Sequence, residues 1–353
     1  MRDFVQIVMN WRLRALFVVL GAVSLHSCNE VVVTNRSSCE YAEFFDIRDS
    51  LLSVISPYDG SVRTVSLARP LNKIICMSSS QVAALAQIDA DSTVAAVSGL
   101  KYLTNPDLHK RNCPDIGYEA SLDYEKILSL HPDLLVTYTI SASEPQYLSK
   151  LKSLGIPVLV IFEQCESHPL AKAEYVRLFG ALTGRLERAD SCFSSVRERY
   201  CSLADSVAKT CDDRLKVLMN IPYGDAWYIP GADNYMTRLI QDAGGEVLGA
   251  MPGRNSSVAS LEKAYEISQK ADIWLNPGHC TTRQQLSDVH HLFPAFGPLA
   301  RALPIYNNTL RTNSEGGNDF WESGAVRPDL VLEDLVKIFS SEQEGLHYHL
   351  ELK

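Results

Sequence analysis

The chain has 353 residues, 46% of them hydrophobic and 21% charged, and a net charge of −9. That length accommodates two domains of ordinary size, and the composition is that of a folded globular protein rather than a disordered one. The acidic balance, with no run rich in Lys and Arg, excludes nucleic acid as a partner.

The first segment is a targeting signal. Arg12 and Arg14 precede an apolar run over residues 15–25, closed by Leu25-His26-Ser27-Cys28. A basic start, a short apolar stretch and small residues before a cysteine make a bacterial lipoprotein signal, with lipid expected on Cys28. His26 departs from the residue type usual at its place, and Met9 is an alternative start. The run is too short to span a bilayer as a mature helix. On this reading the rest of the chain lies in the bacterial cell envelope, lipid-anchored and facing the periplasm or the cell exterior. The alternative is a buried N-terminal element with an ordinary cysteine. Nine cysteines less Cys28 leave eight. The compartment permits disulfides, but no C-x-x-C occurs and sequence does not choose a pairing. Cys192 and Cys201 fall on opposite faces of an expected helix, and most of the eight read as small buried hydrophobes.

Residues 29–40 read as a polar tether, and the alternation over residues 44–68 predicts a hairpin turning at Asp59-Gly60. From Lys73 onward short apolar strands alternate with helices: strand 74–77, helix 81–88, strand 94–97, helix to Leu130, strand 133–137, helix 144–154, strand 156–162. Strands and helices alternating at this length mean a parallel sheet covered by helices. Residues 171–209 then keep a helical apolar period with few breakers besides Gly180 and Gly184. A single helix there would run about 57 Å at ~1.5 Å per residue, long enough to bridge two lobes. A second α/β pattern follows, with strands at 215–220, 227–229, 273–276 and a last one at Ile305-Tyr306, and helices at 235–243, 261–269, 298–303 and a closing one at 328–339. The fold class is therefore α/β, two doubly wound lobes with parallel sheets joined by one long helix. The divisions are 1–28 signal, 29–69 tether and hairpin, 70–168 first lobe, 169–210 bridging helix and 211–353 second lobe.

One pattern occurs in both lobes, about 137 positions apart. Ser121-Leu-Asp-Tyr-Glu125-Lys126 leads to Asp133-Leu-Leu-Val136, and Ser257-Val-Ala-Ser-Leu-Glu262-Lys263 leads to Asp272-Ile-Trp-Leu275. Each offers a serine cap and a Glu-Lys pair early in a helix, before a buried strand. In doubly wound sheets ligands meet the loops at the carboxyl ends of strands. That rule nominates residues 78–81, Lys101-Tyr102, Tyr118-Glu119 and Thr139 in the first lobe, and Trp227-Tyr228, residues 254–257, 276–283 and 311–321 in the second. No G-x-S-x-G, Walker loop or H-E-x-x-H appears, so hydrolase and NTPase readings lack support.

The chain resembles the helix-linked periplasmic substrate-binding proteins of ABC importers for iron complexes and vitamin B12. The resemblance rests on Pro70-Leu-Asn-Lys-Ile-Ile75, Gly117 with Leu122-Asp-Tyr-Glu125 and His131-Pro-Asp133, Leu154-Gly-Ile-Pro-Val158, Leu178-Phe-Gly180 with Gly184, Trp227-Tyr-Ile-Pro-Gly231, Ala243-Gly-Gly245, and Gly324 with Arg327-Pro-Asp329. No one of these is specific; their order and spacing over most of the chain are. The resemblance implies one ligand in the cleft between lobes, an iron complex (siderophore or haem) or a corrinoid, delivered to a permease dimer with its ATPase subunits. It implies a monomeric receptor rather than an enzyme, with no catalytic residues, no resident cofactor and no metal ligands of its own, the iron or cobalt arriving with the ligand. Glu125 and Glu262 fall where such proteins meet permease arginines, and paired charges of that kind steer docking more than they add affinity. Their plainer role is to favour the helix dipole in a first turn.

Tyr118 and Tyr228 fall where the resemblance places rings that stack on a flat ligand. Ser79 and Tyr102 join them from the strand-end loops. Lys101, Arg254 and Arg311 could bind an anionic group, and Phe320 and Trp321 sit in a loop where large aromatics pack or bind. His279 could reach an iron or cobalt, but no H-x-H or H-x₃-H spacing supports a metal cage. Ser256 stands about where the vitamin B12 binders can carry a tryptophan. Two other readings stay open: a chelatase-like tetrapyrrole enzyme, for which His279 and Glu322 are the candidate pair, and a transition-metal-ion receptor of related fold.

Overall fold

A computed structural model describes residues 38–353 except Asp212 and Gln343; the signal segment and Cys28 lie outside the described residues. Most of the expected tether, residues 29–37, lies outside them as well, and the described chain begins in a clamped segment. Backbone N–H groups of Glu40, Tyr41 and Ala42 donate to the buried Glu174 carboxylate, each at 2.8 Å. Those of Glu43 and Phe44 donate to Glu166 at 3.1 and 3.2 Å. Next, β1 (Phe45–Arg48), β2 (Leu51–Ile55) and β3 (Val62–Ser66) form an antiparallel sheet in that order. The β2–β3 hairpin turns through Asp59, whose carboxylate accepts from Ser61 N and Oγ, and Gly60 at φ 69°. The expected hairpin thus gains a third strand, β1, because Asp49 takes a left-handed φ of 52° and reverses the chain after only four strand residues.

The first lobe runs β4 (Ile74–Cys76), α1 (Ser79–Gln87), β5 (Val94–Val97), α2 (Pro106–Lys110), α3 (Tyr124–Leu130), β6 (Leu134–Tyr138), α4 (Gln146–Ser153) and β7 (Val158–Ile161). Its sheet is parallel with order β5-β4-β6-β7. The strands are nearly continuous Val, Ile and Leu because helices cover both faces.

The span expected as one bridging helix, 169–210, is three: α5 (Pro169–Ala173), α6 (Tyr175–Thr183) and α7 (Leu186–Thr210). Gly184, left-handed at φ 69°, ends α6, as glycine often does at a helix C-terminus. The bridge proper is the 25-residue α7, about 37 Å long at ~1.5 Å per residue. It buries Ala189, Cys192, Phe193, Val196 and Tyr200 along one stripe and packs against α6 and, from the second lobe, α13.

The second lobe follows with β8 (Leu215–Met219), β9 (Trp227–Ile229), α8 (Tyr235–Asp242), β10 (Gly245–Val247), β11 (Ser257–Ala259), α9 (Leu261–Ser268), β12 (Ile273–Leu275), α10 (Arg283–Val289), α11 (Gly297–Ala300), β13 (Ile305–Asn307), α12 (Ser323–Val326), α13 (Pro328–Phe339) and β14 (Leu350–Glu351). Its sheet order is β10-β8-β12-β13-β14, with β14 antiparallel on the edge; β9 and β11 form a separate ribbon. Ile305-Tyr306 is therefore not the last strand, nor α13 the end: Asp334, fully buried, accepts from the backbone of His347, Tyr348 and His349 and draws the tail back to β13.

Without the ribbon and the edge strand, both sheets have the same winding: second strand, first, third, fourth. The repeated segments are equivalent within it, since α3 precedes the third strand of one sheet and α9 the third strand of the other. Ser260 caps α9 by accepting from Lys263 N. In α3 the cap is Asp123, accepting from Lys126 N at 2.9 Å, rather than the expected Ser121, which sits in the preceding turn.

Candidate functional site

Two cavities open between the lobes and meet at Trp321, which lines both. The first, about 770 Å³, lies on the first lobe at the carboxyl ends of β4, β5, β6 and β7, as the strand-end rule requires. The second, about 420 Å³, lies on the second lobe beyond β8, β12 and β13. Trp321 comes from the long connection between β13 and α12 and is half-exposed.

The first-lobe cavity has hydroxyl and carboxyl chemistry. Ser78, Ser79 and Ser80 enter it from the start of α1; Ser79 Oγ donates to the Trp321 carbonyl at 3.3 Å. Tyr102 and Tyr118 stand 6.1 Å apart, tilted by 51°, and both are exposed on the cavity wall. Glu163 and Gln164 follow β7 at the floor. Ser80 Oγ donates to Glu163 Oε1. Burial pushes the Glu163 carboxyl's pKa up, against the pull of Lys172 and of the Ser80 hydrogen bond. Lys172 itself lies with Nζ 4.1 Å from the centre of the Tyr235 ring, a cation–π contact across the lobes. The second-lobe cavity is different: Asn220, Asn234, Asn276, Asn308 and Asn318 line it, and no charged side chain among the described residues does.

The cleft brings together some expected site residues and leaves others apart. Ser79, Tyr102, Tyr118 and Trp321 share the first cavity, and Ser256 lines the second. Lys101 is on the rim, its Nζ 4.8 Å from the centre of the Tyr102 ring. Arg254 faces the N-terminal segment instead, with NH2 bound to both oxygens of Glu43 at 2.8 and 2.7 Å. Arg311 pairs with Asp319 at 2.9 Å in a separate cavity beside α1 and α2. Phe320 is buried behind Trp321, edge-on at 4.7 Å, because the tail residues Tyr348 and His349 close over it. Tyr228 is exposed on the β9–β11 ribbon and lines neither cavity. His279 is exposed outside both, while Glu322 is buried against Thr104 N at 2.6 Å, so the candidate enzyme pair is not assembled.

Sequence reasoning did not find Glu163, Gln164, Lys172 or the asparagine set as a set. Glu163 and Gln164 begin two residues past β7, so strand-end logic applied to that strand would have reached them. The asparagines come from four separate loops, Asn308 and Asn318 sharing the β13–α12 connection, and only tertiary folding gathers them. No group of three or more His, Cys, Asp or Glu placed to hold a metal ion occurs among the described residues, and no described helix is long and apolar enough to cross a membrane.

Two α/β lobes of equal winding, one connecting helix and an interlobe cleft define a solute-binding protein of the helix-linked class. A family model described as periplasmic binding protein matches residues 74–290, more than half of the chain, and the chain belongs to that family. It is 24% identical over 299 residues to an uncharacterised lipoprotein of Methanocaldococcus jannaschii, covering 80% of this chain and 69% of that one. A cobalamin-binding protein of Halobacterium salinarum is 24% identical over 216 residues, 61% of this chain and 56% of that protein. The crystal structure of a periplasmic heme-binding protein from Pseudomonas aeruginosa superposes with a TM-score of 0.60 at 16% identity, over 80% of this chain and 98% of that one. Membership of this family places the folded lobes outside the cytoplasm.

Proposed function

We propose that the chain is a lipid-anchored receptor that captures a metal chelate of roughly tetrapyrrole size, an iron complex or a corrinoid, and hands it to an ABC importer permease. The observation that carries this is the cleft itself: two cavities that together reach past the upper end of ordinary small-ligand pockets, with aromatic rings from both sides. Tyr102, Tyr118 and Trp321 offer faces and edges to a flat ring system. The names of the halobacterial and pseudomonad relatives, cobalamin-binding and heme-binding, support the size and class. The relative named a lipoprotein supports lipid on Cys28. On this reading the protein is monomeric, needs no resident cofactor and takes its iron or cobalt with the ligand. Glu125 and Glu262, both exposed in first turns of equivalent helices, are the docking pair for the permease subunits.

The test is a titration of the purified protein with cyanocobalamin, haemin and a ferric siderophore, followed by quenching of tryptophan fluorescence. Saturable binding of one of them with a Kd on the order of 1 μM or tighter is expected, weakened about tenfold or more by Tyr118→Ala. Absence of binding by all three, or insertion of a metal into free porphyrin by the protein, would reject the receptor reading.

A further inference from the structure

The floor of the first-lobe cavity holds an acceptor that no donor reaches. Glu163 is only 7% exposed, yet it lines the cavity. Its Oε1 takes the Ser80 hydroxyl, and Oε2 has no donor among the described residues. Beside it, Gln164 donates from Nε2 to the Thr139 carbonyl at 2.8 Å, which fixes the orientation of the amide. Its Oε1 is then an acceptor out of solvent with no partner. A buried acceptor left in that condition destabilises the fold, which tolerates it chiefly where something else completes it.

Charge around the floor points the same way. Among the described residues Lys172 is the one basic side chain that lines either cleft cavity, and it is engaged on the Tyr235 ring. Glu119 adds a second carboxylate to the same wall as Glu163. The opposite wall is uncharged, lined with asparagine amides. Arg254 and Arg311, the arginines that could have met an anionic group, are paired with Glu43 and Asp319 away from these walls. A ligand edged with carboxylates would set acceptor against acceptor at the floor with one cation to offset it. A ligand edged with N–H groups would instead meet the Glu163 carboxylate and the Gln164 amide oxygen as acceptors.

We propose that Glu163 and Gln164 are specificity-determining residues that read N–H donors on the ligand's edge, so that the cleft selects chelates carrying carboxamides or amines and rejects those carrying carboxylates. The inference rests on the receptor reading above. It assigns to these two residues the choice among chelates of similar size and shape. A donor placed at Oε2 also holds the Glu163 carboxyl in its ionised form against the push of burial.

A matched pair of probes isolates that choice: dicyanocobinamide, whose corrin edge carries amides, and dicyanocobyrinic acid, the same ring and metal with those amides as carboxylates. Isothermal titration of the wild-type full chain should give at least about a hundredfold tighter binding of the amide form. Glu163→Leu should weaken the amide form about tenfold or more and compress the ratio between the two probes, while Glu163→Gln, which keeps an acceptor, should stay within about threefold. Gln164→Met serves if Glu163→Leu does not fold, with the same direction expected. Equal or tighter binding of the carboxylate form by the wild type, or an unchanged ratio in the variants, overturns the inference and leaves the receptor standing. Binding of haemin or of a ferric siderophore with neither corrinoid bound overturns this inference alone; no binding of either corrinoid, of haemin or of the siderophore overturns the receptor reading and this inference with it.

Discussion

At the scale of single residues, two neighbours are shifted in opposite senses by the same burial. The Glu166 carboxyl accepts from Glu43 N, Phe44 N and Tyr175 Oη, yet burial pushes it up to about 7. His168, whose Nδ1 accepts from Leu170 N at the start of α5, is pulled down to about 4. Glu166, raised above its ordinary 4.5, contributes stability that is complete below that pH and lost as pH rises through about 7. The whole swing is about 3 kcal/mol at ~1.36 kcal/mol per unit. His168, depressed from 6.5, contributes stability present above pH 6.5 and lost as pH falls toward 4. The slopes oppose each other between pH 4.5 and 6.5, so the two contributions to the pH dependence of Tm nearly cancel across that window. Relative to wild type, Glu166→Gln should tilt the Tm profile upward with pH, and His168→Asn, which keeps the cap acceptor, should tilt it downward. Parallel shifts of the whole profile without a change of slope would contradict both assignments.

At the scale of elements, most of the α/β order could be read from apolar period and strand-end punctuation, because β4, β6 and β12 are short buried runs with clear turn signals. The breaks in 169–210 could not, since the apolar stripe runs on through Gly184 and gives no sign that this residue goes left-handed. The site was legible where a strand end and an unusual residue coincide, as at Tyr102, Tyr118 and Trp321. It was illegible where a side chain's partner decides its role: Arg254 and Arg311 are taken by Glu43 and Asp319, acids far away in sequence or ordinary in context. One packing contact carries a sharp expectation. A Cβ on Gly180 would lie 2.5 Å from Ala189 Cβ, where α6 and α7 touch. Gly180→Ala should therefore destabilise by about 1–3 kcal/mol from overpacking, despite alanine's better helix propensity of up to ~1 kcal/mol. Urea denaturation should show a lower midpoint at an unchanged slope; a raised midpoint would mean the helices separate freely.

At the scale of the molecule, the two lobes repeat one winding, and the repeated Glu-Lys helices take equivalent places in it. In the proposed transport role, Glu125→Arg with Glu262→Arg should abolish stimulation of the reconstituted importer's ATPase, while chelate affinity stays within about threefold, as expected for exposed charges remote from the cleft. Loss of chelate affinity would argue that these glutamates shape the cleft instead.

The connection from β13 to α12 crosses to the other lobe. Asn313 Nδ2 donates to the carbonyls of Lys101 and Leu103, both at 3.0 Å, and Thr104 binds Asp319 and Glu322. Gly317 lies so close to the Tyr102 carbonyl that an added Cβ would come within 2.1 Å of it. The strap and α7 thus fasten the lobes at two stations, with the exposed Arg254–Glu43 ion pair as a weaker third tie. Firm stations of this kind resist separation more than they resist rotation about the line that joins them. Spin labels placed on opposite cleft walls should then report a change of angle on loading more than a change of span.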